Sequence, residues 1–175
     1  MKKIRVGILG GSFNPPHSGH LHISNLAIKR LGLKQLWWIP TIQNPLKNES
    51  IKSSYASRIK LCKALTKNNP NIKVKDIERK LFGASKKFYT YNLLKRLKQL
   101  YPNYEFYFII GADSLVSFHK WYNYKKIPEL AEIVVISRTG FDKSSNNSKA
   151  AKQISYLFLN EQTVDISSTE LRNRS

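Results

Sequence analysis

Hydrophobic residues in this chain come in short runs that alternate with helical stripes. Residues 4–9 form an apolar run interrupted only by Arg5 and Gly7 and closed by two glycines, which reads as a buried strand. Residues 19–31 change period: Ile23, Leu26, Ala27 and Leu31 fall on one helical face. Residues 35–39 predict a second strand, stopped by Pro40, and a polar loop over 41–53 follows. Ser54 is placed to cap a helix from Tyr55, with Ile59, Cys62 and Leu65 inward. Residues 72–75 make a weaker strand. Thr90 is placed to cap a helix whose apolar face is Leu93, Leu94, Leu97 and Leu100, ended by Pro102. Residues 104–110, aromatic and β-branched, predict the central strand, with Gly111 directly after it. A short helix around 128–131 leads to a buried strand at 133–136. Residues 140–149 read as a mobile polar loop, 154–159 as the last strand, and 168–172 as a helix start.

Strands alternating with helices predict an α/β fold: one Rossmann-like domain over residues 1–175, a parallel sheet of about five strands with helices on both faces. Such sheets bind ligands beyond the carboxyl ends of their strands. The polar clusters after Leu9, Ile39, Ile110, Ile136 and Ile166 all fall at those ends.

Composition narrows the picture. A length of 175 residues suffices for a core without disulfides, and the single cysteine, Cys62, has no internal partner. No run approaches the roughly 20 apolar residues that cross a membrane, and the short amino-terminal apolar segment runs into a glycine turn instead of a cleavage site. A cytosolic protein is the expectation. The formal charge of +19 suits either nucleic acid or anionic metabolites. Its lysines are spread along the whole chain in a Lys-, Asn- and Ile-rich background, which favours phosphate ligands over a nucleic-acid footprint.

The chemistry concentrates first in Gly10-Gly11-Ser12-Phe13-Asn14-Pro15-Pro16-His17-Ser18-Gly19-His20. Glycines let the backbone turn sharply and approach a ligand, and a helix opening at Gly19 offers free amide donors and a positive dipole end. His17 and His20, three residues apart, reach one phosphate group together. Fixed donors aimed at oxygens that gain charge are what phosphoryl-type transfer requires, and no protein nucleophile is needed. A metal reading of the two histidines lacks a third ligand nearby. A second cluster, Ile166-Ser167-Ser168-Thr169-Glu170-Leu171-Arg172, places hydroxyls and amides at a helix start, with Arg172 one turn beyond Ser168.

The first segment resembles the opening motif of nucleotidyltransferases with the H-x-G-H hallmark, a group that includes the nicotinate-nucleotide and phosphopantetheine adenylyltransferases. The second is similar to the I-S-S-T-x-x-R element of that superfamily. The resemblance implies catalytic roles for His17, His20 and Arg172. It implies ATP binding by Gly10, Gly11, Ser12, Phe13, His17, His20, Ser168, Thr169 and Arg172. Mg²⁺ would bridge the phosphates with few or no protein ligands.

Gly111-Ala112-Asp113-Ser114-Leu115 resembles a substrate-facing segment of the nicotinate-nucleotide enzymes. Asp113 suits ribose hydroxyls, hydrated Mg²⁺ or the cap of a short helix. Lys120-Trp121-Tyr122 resembles the element whose indole stacks on the nicotinate ring. Thr90 sits in a stretch similar to Y-T-x-D-T-L, with Asn92 and Leu94 at the Asp and second Thr. Lys47 and Arg138 resemble loop residues near the phosphates and the acceptor pocket. The resemblance thus implies acceptor binding by Lys47, Thr90, Gly111, Asp113, Trp121, Tyr122 and Arg138. The implied partners are ATP and nicotinate mononucleotide, with deamido-NAD and pyrophosphate as products. Nicotinamide mononucleotide and phosphopantetheine are alternative acceptors. A basic nucleic-acid-binding protein is a rival class, and a dehydrogenase is disfavoured by the absence of G-x-G-x-x-G.

Overall fold

A computed structural model describes residues 2–42, 53–83, 88–137 and 143–160. The order of elements is β1 (Ile4–Gly11), α1 (Ser18–Leu31), β2 (Gln35–Pro40), α2 (Tyr55–Leu65), β3 (Ile72–Val74), α3 (Ile77–Phe82), α4 (Thr90–Leu100), β4 (Tyr104–Gly111), α5 (Ala112–Ser117), β5 (Glu132–Ser137), α6 (Lys143–Asn146) and β6 (Leu157–Asn160). Two 3₁₀ turns, Phe118–Lys120 and Tyr124–Glu129, join α5 to β5. The second carries Pro128 and replaces the short helix expected at 128–131.

All the strands pair in parallel in the order β3-β2-β1-β4-β5-β6. The sheet has six strands instead of about five, because the short β3 does pair along Leu36–Trp38 of β2. The chain winds outward from β1 to β3, then crosses back to place β4 on the other side of β1. The loops after β1 and β4 diverge there and open a crevice.

Each strand sends alternate side chains to opposite faces. Val6, Ile8, Trp37, Phe106, Phe108, Ile133 and Val135 pack with Leu93, Leu94 and Leu97 of α4 and Leu115 of α5. Leu9, Leu36, Trp38, Ile109, Val134 and Ile136 pack with Leu26 and Ala27 of α1 and Cys62 of α2. Gly7 makes room on that second face: a Cβ there would lie 2.7 Å from Leu33 Cδ1. Gly32 ends α1 at φ 59°, a left-handed position glycine takes without strain.

Several expectations change. Tyr89 is the residue before α4 and Thr90 is already its first helical residue, so the Thr90 hydroxyl is not the cap. Leu100 is exposed, one turn past the buried stripe. The segment expected as a mobile loop at 140–149 contains α6, and Ser145, Ser148 and the adjoining Ala150 are buried. Small side chains there pack closely without looking hydrophobic in sequence. The last strand starts at Leu157, three residues later than expected. Among the described residues no helix is long and apolar enough to cross a membrane.

Candidate active site

The crevice where β1, β2 and β4 end is a cleft of about 470 Å³. Gly10, Gly11, Ser12, Phe13, His17 and His20 line it from the β1–α1 side, and Thr90, Gly111, Trp121 and Tyr122 from the other. Residues predicted from separate parts of the sequence therefore share one cavity. Lys47, Arg138, Ser168, Thr169 and Arg172 lie outside the described residues.

The glycine turn is built around Phe13. Its φ of 47° is unusual for a residue with a side chain and costs on the order of 1–3 kcal/mol. The ring is fully buried, 4.9 Å from the Trp38 ring and 4.7 Å from the His20 ring. That stacking holds the turn in a conformation that the backbone alone disfavours.

The two histidines cap α1 with their own rings. His17 Nδ1 accepts the Gly19 amide and His20 Nδ1 accepts the His17 amide, each at 3.1 Å. The His20 amide donates to the His17 carbonyl at 3.0 Å. The free amides expected at Gly19 are therefore taken up inside the cap. What the cleft receives instead follows from the tautomer. A neutral imidazole whose Nδ1 accepts must carry its proton on Nε2. Both rings are thus set as Nε2–H donors, with centroids 4.0 Å apart.

Across the cleft, Trp121 is half-buried, tilted on Phe118 at 4.8 Å and edge-on to Phe108 at 6.1 Å. Tyr122 is exposed and meets Tyr89 at 4.9 Å and Tyr91 at 5.9 Å, forming an aromatic rim. Lys120 lines the same end and adds a cation. Asp113 stands apart from the wall. It is exposed in the first turn of α5, its carboxylate folded back over Gly111, and its side chain makes no cap bond.

Sequence reasoning missed two buried charges. Arg58 on α2 is 1% exposed; its Nη1 donates to the carbonyls of Ser12 at 2.5 Å and Thr41 at 2.7 Å, and its Nη2 to Ile42 at 3.2 Å. Glu78 on α3 is the sole carboxylate lining the cleft among the described residues, and its Oε2 accepts the Ile42 amide at 3.2 Å. Burial pushes the Glu78 carboxyl up to about 7, opposed by the Ile42 amide and by the positive charge of Arg58. Burial lowers Arg58 below the ordinary guanidinium value. The Arg58 signal was present: it lies one turn before Cys62, on the inward face of α2, where a cation needs partners. Cys62 is buried, and burial pushes its thiol up to about 12, so it is unreactive. Among the described residues no three His, Cys, Asp or Glu side chains converge as a metal site.

A doubly wound parallel sheet with a donor-lined crevice at its switch point defines a nucleotide-binding α/β protein. The sequence matches the profile of the cytidylyltransferase-like family over residues 8–174. A relative from Agrobacterium fabrum, named a probable nicotinate-nucleotide adenylyltransferase, is 42% identical over 161 residues, 92% of this chain and 83% of its own. A protein of the same name from Pelagibacter ubique is 41% identical, covering 98% of this chain and 93% of its own. The nicotinic acid mononucleotide adenylyltransferase of Plasmodium falciparum, solved with NaAD, superposes with a TM-score of 0.73 at 24% identity, over 90% of this chain and 75% of that one. The chain belongs to the cytidylyltransferase-like family and, within it, groups with the nicotinate-nucleotide adenylyltransferases.

Proposed function

We propose that this protein transfers the adenylyl group of ATP to nicotinate mononucleotide, releasing pyrophosphate and forming deamido-NAD. The observation that carries the reading is the paired histidine cap, two Nε2–H donors in the same cleft as Trp121 and Tyr122. An acceptor phosphate oxygen attacks the α-phosphorus of ATP; the new O–P bond forms as the bond to the β-phosphate oxygen breaks, and pyrophosphate leaves. His17 and His20 donate to oxygens that gain charge at the α-phosphorus, a role in which one lost donor costs roughly 2.7–4 kcal/mol. Gly10, Gly11, Ser12 and Phe13 form the floor under the phosphates. The resemblance assigns ATP binding also to Ser168, Thr169 and Arg172, which lie outside the described residues.

On the acceptor side, Trp121 presents a flat face to the pyridine ring and Lys120 favours its carboxylate over a neutral amide. Thr90, Gly111 and Tyr122 frame the acceptor, and the resemblance assigns acceptor binding also to Lys47 and Arg138, outside the described residues. Asp113, at the rim, serves ribose hydroxyls or hydrated Mg²⁺. The donor set suits a Mg²⁺ ion carried on the phosphates: among the described residues the cleft wall offers one carboxylate, and Mg²⁺ binds through phosphates, waters and one or two carboxylates. Bound there, it would neutralise charge on the triphosphate. We place the enzyme in the cytosol, where ATP and mononucleotides meet.

A pyrophosphate-release assay with ATP and Mg²⁺ tests the reading. Nicotinate mononucleotide, nicotinamide mononucleotide and phosphopantetheine are offered in parallel. The first should give the highest kcat/KM. Preference for either alternative replaces the acceptor, and silence with all three refutes the activity.

A further inference from the structure

We propose that Arg58 is a positioning residue for the transfer step: by holding the Ser12 carbonyl, it aims the Phe13 amide at the phosphates of the bound nucleotide. The proposal rests on the adenylyl-transfer reading above. Arg58 makes its three bonds to the carbonyls of Ser12, Thr41 and Ile42, the residues that follow β1 and β2. Among the described residues no carboxylate forms an ion pair with it. Its charge is committed to backbone at the point where two strand ends meet the cleft.

The consequence lies in the next peptide. In a trans peptide the C=O and N–H point in opposite directions. A Ser12 carbonyl drawn toward α2 sends the Phe13 N–H away from α2. Phe13 lines the cleft and is 1% exposed. Among the described residues its amide meets no acceptor. A buried amide without a partner is costly, so the turn is built with a donor in reserve. An anionic oxygen is the partner that the surroundings suit, with His17 and His20 on the same wall.

Arg58 does not act alone. It takes the Ile42 carbonyl while Glu78 takes the Ile42 amide, so one residue is gripped at both ends. The Thr41 amide donates to the Gly11 carbonyl at 2.9 Å, and Ser53 Oγ donates to Asn14 Oδ1 at 2.6 Å. The glycine turn and both flanks of residues 43–52 therefore form one braced unit, and the guanidinium is its central tie.

Arg58→Lys and Arg58→Met test the idea beside the wild type in the pyrophosphate-release assay. Lysine keeps the charge but cannot bridge three carbonyls. We expect Arg58→Lys to fold, by circular dichroism, and to lose on the order of 10²-fold in kcat, with acceptor KM changed less than about twofold. Guanidine at millimolar concentration should restore part of kcat to Arg58→Met and leave the wild type unchanged. Wild-type kcat in Arg58→Lys overturns the proposal. A wild type that releases no pyrophosphate refutes the adenylyl reading instead, and a second measurement then judges Arg58 independently. With ¹⁵N-labelled protein and α,β-methylene-ATP, the Phe13 amide resonance should shift in the wild type and not in Arg58→Lys. A Phe13 amide that stays still in the wild type, or moves equally in both, overturns the proposal whether or not Arg58→Met folds.

Discussion

Trp38 donates its indole N–H to Ser24 Oγ at 2.8 Å, and Ser24 donates in turn to the His20 carbonyl at 2.7 Å. The two bonds tie the middle of β2 to the first turn of α1, directly beneath a ring that faces the cleft. The His20 ring also meets Trp38 edge-on at 5.8 Å. The position of a donor in the candidate site is thus set by a core tryptophan.

Ser24→Ala should therefore cost both stability and turnover. Ser24 and Trp38 are both fully buried, so the variant leaves the indole N–H without a partner. The penalty is about 1–3 kcal/mol. At roughly 2–4 °C per kcal/mol for a chain of this size, melting should fall by several degrees. Turnover should drop severalfold as His20 loses its footing. Thermal denaturation and the pyrophosphate assay read the two effects; an unchanged melting temperature would show that the relay contributes nothing.

His20 has two roles that can be separated. Its Nδ1 caps α1, a contribution of about 1 kcal/mol, and in the proposed reaction its Nε2–H donates to the phosphates. His20→Ala should lose both, with turnover down roughly 10²–10³-fold. His20→Asn keeps an acceptor near the Nδ1 position, so melting should recover while turnover stays low. If stability and turnover recovered together, the ring would be a cap and no more.

The strands were legible because they are apolar on both faces; residues 104–110 and 133–136 read as strand without reference to any neighbour. β3 was faint because only Ile72 of its three residues is buried. The sequence carries no sign of α3, and of α5 only a short helix for Asp113 to cap, for a related reason. Each is six residues long and buries one side chain, Glu78 or Leu115, too few for a stripe. Missing α3 meant missing Glu78. In the site, the histidine pair and the Trp121 region could be read because unusual residues cluster there. The use of both Nδ1 atoms in the cap could not, since it depends on ring orientation. Asp113, a site residue by its position in the sequence, is exposed in the first turn of α5 and is not among the residues that line the cleft.

In the proposed reaction Trp121 belongs to the acceptor end of the cleft. One side of the indole is packed on Phe118, and the residue is half-buried in the cleft wall. Trp121→Ala should raise the acceptor KM about tenfold, the loss of a ring contact worth roughly 0.5–1.5 kcal/mol plus buried area. Trp121→Phe should fall between. ATP KM should hold steady in both; a change confined to ATP would mean that the pyridine and adenine ends have been assigned the wrong way round.

Glu78 makes stability depend on pH in a particular direction. Unfolded, the carboxyl ionises near its ordinary 4.5; folded, burial holds it to about 7 despite the Ile42 amide and Arg58. Between those values the folded protein keeps a proton that the unfolded chain has lost. Stability therefore falls as pH rises through this window, by up to about 1.4 kcal/mol per unit from this group, and levels off above it. Glu78→Gln offers an acceptor to Ile42 and carries no charge at any pH. It should match the wild type near the lower limit, gain a widening advantage up to about pH 7, and hold it constant beyond. Urea unfolding at half-unit steps from about pH 4.5 to about pH 8 measures the difference between the two proteins, in which the other titrating groups largely cancel. A difference that does not vary with pH would mean that Glu78 is already ionised throughout and that burial does not govern its proton.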